Sequence, residues 1–153
     1  MDIRFTNENI FETDSESLVY FTDHSLMGVQ SDFLIEKAGD GIIEPLIKQN
    51  GCATGEVKIV PAFNLETEYV ILSVLPETNH PLSEKLFEDM LLQIFNILVD
   101  YEIHSVSLDL KYIKKVFDQG YVAILNEIIK KKRKENIDVL VYLCSGEFVD
   151  NKL

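Results

Sequence analysis

A pair of neighbouring ionisable residues and a short turn are the features of this chain that could do chemistry. Asp23 precedes His24, which suggests an acid–base couple, but adjacent side chains on an extended segment point apart, so we interpret His24 as a surface residue. Residues 28–31 precede a helical pattern, and backbone amides at the start of a helix attract anions. Asp32 follows directly and opposes an anion there. These residues predict a turn in which the backbone amides attract a negatively charged ligand while the Asp32 carboxylate repels it.

A second candidate for charge-based recognition is the segment 109–117, which contains three lysines and no glycine. Its bulky side chains keep the backbone away from a ligand, so any attraction for phosphate comes from the charges of Lys111, Lys114 and Lys115. The alternative is that these lysines form an ordinary solvated surface. The sequence leaves both interpretations open.

The elements that position these residues follow from hydrophobic periodicity. Period-two alternation and β-rich composition predict strands at residues 3–5, 17–21, 57–60, 69–75, 105–110 and 138–144. Helical spacing predicts two helices or a bent one over residues 31–50 and long helices over 83–101 and 117–135. Ser83 is predicted to cap the first long helix. Gly39 and Gly41 are expected to interrupt the helical segment 31–50.

The order of these elements predicts an α/β fold, a three-layer α-β-α sandwich with a mixed, mostly parallel central sheet. In an open sheet of this kind, ligands bind in the crevice beyond the carboxyl ends of the strands. That rule directs attention to residues 22–32, 109–117 and 144–148. Some of the residues that could bind or react with a ligand are therefore predicted to lie beside one crevice.

The composition is that of a globular protein, because 46% of the 153 residues are hydrophobic and 26% are charged. This length predicts a single domain over residues 1–153. The apolar runs are too short to cross a bilayer, and no signal-peptide pattern is present, so we expect a cytoplasmic protein without membrane contact.

Charge and cysteine content exclude other classes of partner. The net charge of −12 argues against nucleic acid as a partner, and the basic run 130–134 is interpreted as a solvated helix end facing the negative pole of the helix dipole. Two cysteines and three scattered histidines predict no metal site, and no cofactor is expected. Cys52 and Cys144 are interpreted as small buried hydrophobic residues.

One stretch of the sequence resembles a known family. Residues 52–60 read C-A-T-G-E-V-K-I-V, residues 63–65 read F-N-L and residues 69–71 read Y-V-I. This resembles the segment C-x-T-G-E-A-x-I-T, Y-N-L, Y-V-I of macro domains, the ADP-ribose-binding family. The specific match covers about residues 50–74, which are mostly scaffold, while the order of elements is similar over the whole chain. The resemblance implies the macro-domain fold.

The resemblance also implies positions for a ligand. Residues 8–10 stand where the family reads G-D-I, so Asn9 takes the position of the aspartate that accepts a hydrogen bond from the adenine amino group. An amide oxygen accepts such a hydrogen bond more weakly than a carboxylate does. Residues 19–23 stand where the family reads V-N-A-A-N, which places Asp23 near the distal ribose. A carboxylate there can accept a hydrogen bond from a hydroxyl but cannot donate one.

Both phosphate loops of the family are altered in this sequence. The first loop is reduced to residues 28–32, with Gly28, Val29, Ser31 and Asp32 as the ligand-binding candidates. The second corresponds to segment 109–117, where Tyr112 is a candidate. The aromatic residue that stacks on adenine in the family reads as Cys144 here, and Phe148 is the possible substitute.

Three functions are compatible with these changes. The first is a module that binds ADP-ribose or a related nucleotide. The second is a degenerate scaffold that has lost nucleotide binding and serves as a protein-interaction or regulatory domain. The third, less favoured, is an ADP-ribosyl hydrolase, for which Asp23 and Asp32 are weak catalytic candidates because they are the carboxylates expected beside the distal ribose.

Overall fold

The central element of the computed structural model is a six-stranded sheet, and the structure describes residues 1–117 and 120–148. The strands are β1 (Asp2–Thr6), β2 (Ser17–Phe21), β3 (Val57–Pro61), β4 (Tyr69–Ser73), β5 (Ser105–Asp109) and β6 (Leu140–Cys144). They lie in the order β1-β6-β5-β2-β4-β3. All neighbouring pairs are parallel except β3 with β4, so the predicted mixed, mostly parallel sheet is confirmed.

Helices cover both faces of the sheet. They are α1 (Val29–Ala38), α2 (Ile43–Lys48), α3 (Ser83–Asp100), α4 (Leu110–Val116) and α5 (Gly120–Lys134), with a short 3-10 turn at Asp40–Ile42. Within β2, Val19 and Phe21 face a core shared with α3 and α5, while Leu18 and Tyr20 face a second core shared with α1 and α2. This alternation produces the predicted three layers.

The predicted break in the helical segment 31–50 is confirmed, and Gly39 explains where it falls. Helix α1 ends at Ala38, and Gly39 follows with φ of +90°, a conformation that L-residues rarely adopt. The amide of Gly39 donates to the carbonyl of Ile35 at 2.8 Å, which closes the helix end.

The prediction of a loop over 109–117 is wrong. The Asp109 carboxylate accepts a hydrogen bond from the Tyr112 amide at 3.0 Å and so caps a new helix, α4. Ile113 and Phe117 anchor this helix in the core. The strand predicted over 105–110 therefore ends at Asp109. The predicted helix 117–135 corresponds to α5; its second and third residues, 118 and 119, lie outside the described residues.

Two smaller predictions are also corrected. Ser83 does not cap α3; Leu82 occupies the N-cap position without a side-chain hydrogen bond, and Ser83 is the first helical residue. The basic run 130–134 ends α5 as predicted, but it is not fully solvated, because Lys132 is buried and pairs with Glu135 at 3.0 Å. No helix in the described part of the chain is long and apolar enough to cross a lipid bilayer.

Candidate functional site

Three adjoining cavities form a crevice beyond the carboxyl ends of β2, β4, β5 and β6. The cavity beside Asp23, here called the Asp23 cavity, has a volume of 370 Å³. The cavity beside Phe148, the Phe148 cavity, measures 310 Å³, and a narrow middle cavity of 110 Å³ lies between them. Tyr112 lines all three. The crevice therefore lies where the sequence placed it.

Gln30 and Tyr112 both line the smallest of the three cavities, and this pair of residues is here called the bridge. Both residues line the middle cavity and the Asp23 cavity, and burial raises the pKa of the Tyr112 hydroxyl while the neighbouring Gln30 side chain acts against that rise. The Tyr20 hydroxyl donates to the Gln30 carbonyl, and the Tyr112 ring stacks on Phe21 with 5.6 Å between ring centroids. The bridge thus joins the first turn of α1 to α4 and is anchored in the sheet at each end.

A buried carboxylate occupies the start of α4. Asp109 is 7% exposed, lines the middle and Phe148 cavities, and accepts the Tyr112 amide hydrogen. Burial raises the pKa of the Asp109 carboxyl, while the hydrogen bond from Tyr112 and the charge of Lys111 act against that rise. The Asp109 carboxylate therefore occupies the start of α4, where the amides could otherwise bind an anionic ligand. Segment 109–117 has no glycine that would let a ligand approach the backbone.

The start of α1 has a carboxylate of its own. Asp23 Oδ1 accepts hydrogen bonds from the Ser25 amide at 3.0 Å and the Ser25 hydroxyl at 2.7 Å. Asp23 Oδ2 lies against Gly28, the N-cap residue of α1, so closely that a Cβ atom on Gly28 would stand 1.7 Å from it. Asp23 therefore closes its own turn and places negative charge beside the predicted anion-attracting amides.

The other candidates in the first loop have diverse surroundings. Ser31 is fully buried, its hydroxyl shares a 2.7 Å hydrogen bond with Thr22, and its amide donates back to Gly28. Val29 is 85% exposed, and Asp32 is exposed in the first turn of α1. Of the predicted loop residues, Asp23 borders the crevice and Gly28 packs directly against it; the Ser31 hydroxyl is engaged inside the protein.

Asn9 is buried and organises two loops. Its Oδ1 accepts hydrogen bonds from the Phe11 and Glu12 amides at 2.8 and 3.1 Å, and its Nδ2 donates to the Glu147 carbonyl at 2.9 Å. Only 4% of Asn9 is exposed. In this structure Asn9 therefore ties the loop after β1 to the loop after β6, and its role in reading adenine stays a prediction.

Aromatic side chains cover the outer end of the crevice. Phe148 stacks on Phe33 with 5.0 Å between centroids and contacts Phe11 at 5.2 Å and Tyr20 at 6.3 Å. Cys144, at the end of β6, is only 1% exposed and is not available for stacking. Phe148, four residues later, lines both the middle cavity and the Phe148 cavity. Phe148 therefore lies where a planar ring could stack.

Charges at the Phe148 cavity are partly neutralised within the protein. Lys111 forms an ion pair with Glu147, which lowers the pKa of the Glu147 carboxyl through that hydrogen bond and the lysine charge. Lys115 also lines this cavity and takes part in no ion pair within the described residues. Of the two lysines that line this cavity, Lys115 is therefore the one whose charge is not held in an ion pair with a described residue.

Other parts of the structure offer less chemistry. A further cavity of 540 Å³ lies against α5 beside Glu88 of α3, and three lysine side chains border it. Within residues 1–117 and 120–148, no three histidine, cysteine, aspartate or glutamate side chains come together in a way that could hold a metal ion.

Sequence reasoning did not name Gln30 and Asp109 as site residues. Gln30 lies inside the predicted first loop, and its position between two candidates was the available signal. Asp109 ends a predicted strand, and a carboxylate at the carboxyl end of a parallel strand is a signal for a crevice residue.

Comparisons with known proteins identify the fold. The sequence profile of the Macro domain matches residues 31–109, just over half of the chain. The macro domain of ganglioside induced differentiation associated protein 2 is similar with a TM-score of 0.79 at 19% identity, over 94% of this chain and 77% of that one. The Oceanobacillus iheyensis macrodomain with MES bound gives 0.78 at 20% identity, over 93% and 81% of the two chains. The Trypanosoma brucei macrodomain in complex with ADP-ribose gives 0.80 at 15% identity; the match covers 93% of this chain and 63% of that longer one.

Proposed function

Because this chain belongs to the macro domain family, we propose that its crevice binds ADP-ribose or a related nucleotide. The observation that carries the proposal is the crevice itself, a row of three adjoining cavities beyond the carboxyl ends of four parallel strands, with aromatic rings at Tyr112 and Phe148. The related Trypanosoma brucei macrodomain forms a complex with ADP-ribose. An aromatic ring beside a cavity of this size provides a stacking surface for a base.

A second candidate function is a scaffold that has lost nucleotide binding and contacts proteins instead. The specific observation in its favour is that the chain's own carboxylates, Asp109 and Asp23, lie at the two helix starts that face the crevice. An anionic ligand would meet negative charge at both. The test below separates this candidate from nucleotide binding.

Hydrolysis of an ADP-ribosyl bond has weaker support. Asp23 uses one carboxylate oxygen to close its own turn through Ser25, and Asp32 is exposed on α1. A general base must lie within hydrogen-bonding reach of the water that it activates. We therefore propose binding, and we expect the unmodified protein and Asp23→Ala both to cleave mono-ADP-ribosylated protein no faster than the solvent blank.

Calorimetric titration with ADP-ribose, ADP, AMP and adenosine tests the proposal. We expect at least one of these ligands to bind, and an affinity near 1 μM corresponds to about −8 kcal/mol. Phe148→Ala should weaken binding about tenfold or more, because base stacking on an aromatic side chain is worth about 1–3 kcal/mol. Phe63→Ala is the matched control, since Phe63 is exposed and lines none of the three crevice cavities.

The outcomes separate the two candidates. Binding that Phe148→Ala weakens and Phe63→Ala leaves unchanged supports the nucleotide site. The absence of heat and of a thermal shift with all four ligands at about millimolar concentration, where a binding free energy of about −4 kcal/mol would still be detected, contradicts nucleotide binding and favours the scaffold.

A further inference from the structure

We propose that the crevice takes a single nucleoside unit, a nucleoside or its monophosphate, in preference to ADP-ribose, whose two ribosyl units are joined by a diphosphate. This inference rests on the proposed function and names the ligand class of the same site. It follows from the bridge, from the two carboxylates and from the composition of the Phe148 cavity.

The bridge divides the crevice. A ligand that extends from the Phe148 cavity to the Asp23 cavity must pass through the middle cavity, whose volume is 110 Å³ and whose walls include Gln30 and Tyr112. Tyr112 is held by its stack on Phe21, and Tyr20 holds the Gln30 backbone. An extended ligand must therefore displace an anchored contact, whereas a ligand confined to one outer cavity leaves it intact.

Charge acts in the same direction. Asp109 lines the middle and Phe148 cavities, and Asp23 lines the Asp23 cavity. A diphosphate that joins the two outer cavities brings two negative charges between these carboxylates. Like charges at short range in a partly buried site repel strongly, and the lysine closest to Asp109 in sequence, Lys111, is already paired with Glu147. The diphosphate is thus the least favoured part of ADP-ribose here.

The Phe148 cavity suits one nucleoside unit. It offers the rings of Tyr112 and Phe148 and one cation, Lys115, that forms no ion pair with another described residue, within a volume of 310 Å³. A base can stack on an aromatic ring, and a single phosphate can reach one lysine without entering the middle cavity. The Asp23 cavity has two carboxylates, Asp23 and Glu77, and two histidines, His24 and His80; among the described residues that line it, Tyr112 supplies the only phenyl or phenol ring.

The test compares AMP, adenosine and ADP-ribose on the full chain and on Gln30→Ala. We expect the unmodified protein to bind AMP or adenosine at least as tightly as ADP-ribose. Gln30→Ala removes the side-chain half of the bridge, and we expect it to strengthen ADP-ribose binding about tenfold while AMP changes by less than about twofold. Gln49→Ala is the matched control, because Gln49 follows α2 and lines none of the crevice cavities.

Three results would overturn this inference. Binding of ADP-ribose about tenfold tighter than AMP by the unmodified protein leaves the proposed function standing but refutes the preference for one nucleoside unit. A ratio of the two affinities that Gln30→Ala does not change refutes the role of the bridge. Failure of these three ligands and of ADP to bind either protein removes the proposed function together with this inference.

Discussion

Asp109→Asn separates the two roles that the structure gives to this residue. Asparagine is as good an N-cap as aspartate, so its amide oxygen can still accept the Tyr112 amide hydrogen and α4 should remain. The substitution removes only the negative charge from the middle and Phe148 cavities. We expect ADP-ribose to bind more tightly to Asp109→Asn than to the unmodified protein.

The size of the gain follows from Coulomb's law. For an assumed separation of about 6 Å between a ligand phosphate and the Asp109 carboxylate, two unit charges repel by about 3 kcal/mol at an effective dielectric constant of about 20. Counter-ions in the open crevice reduce this value, so we expect a gain of about 1–3 kcal/mol, which is about fivefold to hundredfold in affinity.

Calorimetry with a neutral ligand provides the decisive comparison. Adenosine carries no charge, so its affinity should be the same for Asp109→Asn and the unmodified protein. Asp109→Ala is the second variant, because it removes the charge and also the cap, at a cost of about 1 kcal/mol in stability. Equal gains for adenosine and ADP-ribose would refute the electrostatic argument, as would an unchanged affinity for ADP-ribose.

The remaining predictions concern stability. Burial raises the pKa of Asp109 in the folded state, so the folded protein binds more protons between the unfolded and folded pKa values and loses stability as pH rises through that window. Urea unfolding should show that Asp109→Asn gains stability relative to the unmodified protein as the pH rises above the ordinary aspartate value of about 4. Asn9→Ala removes three partly buried side-chain hydrogen bonds and should lower the free energy of unfolding by about 2–3 kcal/mol, while Asn96→Ala on an exposed position should cost less than about 0.5 kcal/mol. Gly28→Ala should destabilise because its Cβ would overlap Asp23; in a double-mutant cycle, Asp23→Ala should relieve most of that cost, and additive effects would contradict the proposed overlap.

Much of the fold could be predicted because its signals are local. The residues of β2 and the apolar face of α3 repeat with the periods of a strand and a helix, and both elements lie within a residue of the prediction. Helix α4 was not predicted, because seven residues are too few to show a clear helical period of hydrophobic residues. Its start depends on one capping bond from Asp109, in a segment that the family resemblance marked as a loop.

The candidate site was predictable in place but not in detail. The carboxyl ends of parallel strands mark a crevice in any fold of this type, and residues 22–32, 109–117 and 144–148 do border it. The contact between Gln30 and Tyr112 could not be predicted, because it joins two distant segments whose relative position depends on the packing of α1 and α4 against the sheet. The burial of Asn9 likewise depends on the loop after β6.

The distribution of tyrosines makes this crevice visible to spectroscopy. The chain has six tyrosines and no tryptophan, so its near-ultraviolet emission comes from phenol rings alone. Tyr20 and Tyr112 line the middle cavity, whereas Tyr69 and Tyr101 contact each other near the amino-terminal edge of the sheet, 6.1 Å between centroids. A purine stacked on Tyr112 would quench one group of emitters and leave the other as an internal standard. The protein thus carries its own optical reporter of ligand occupancy.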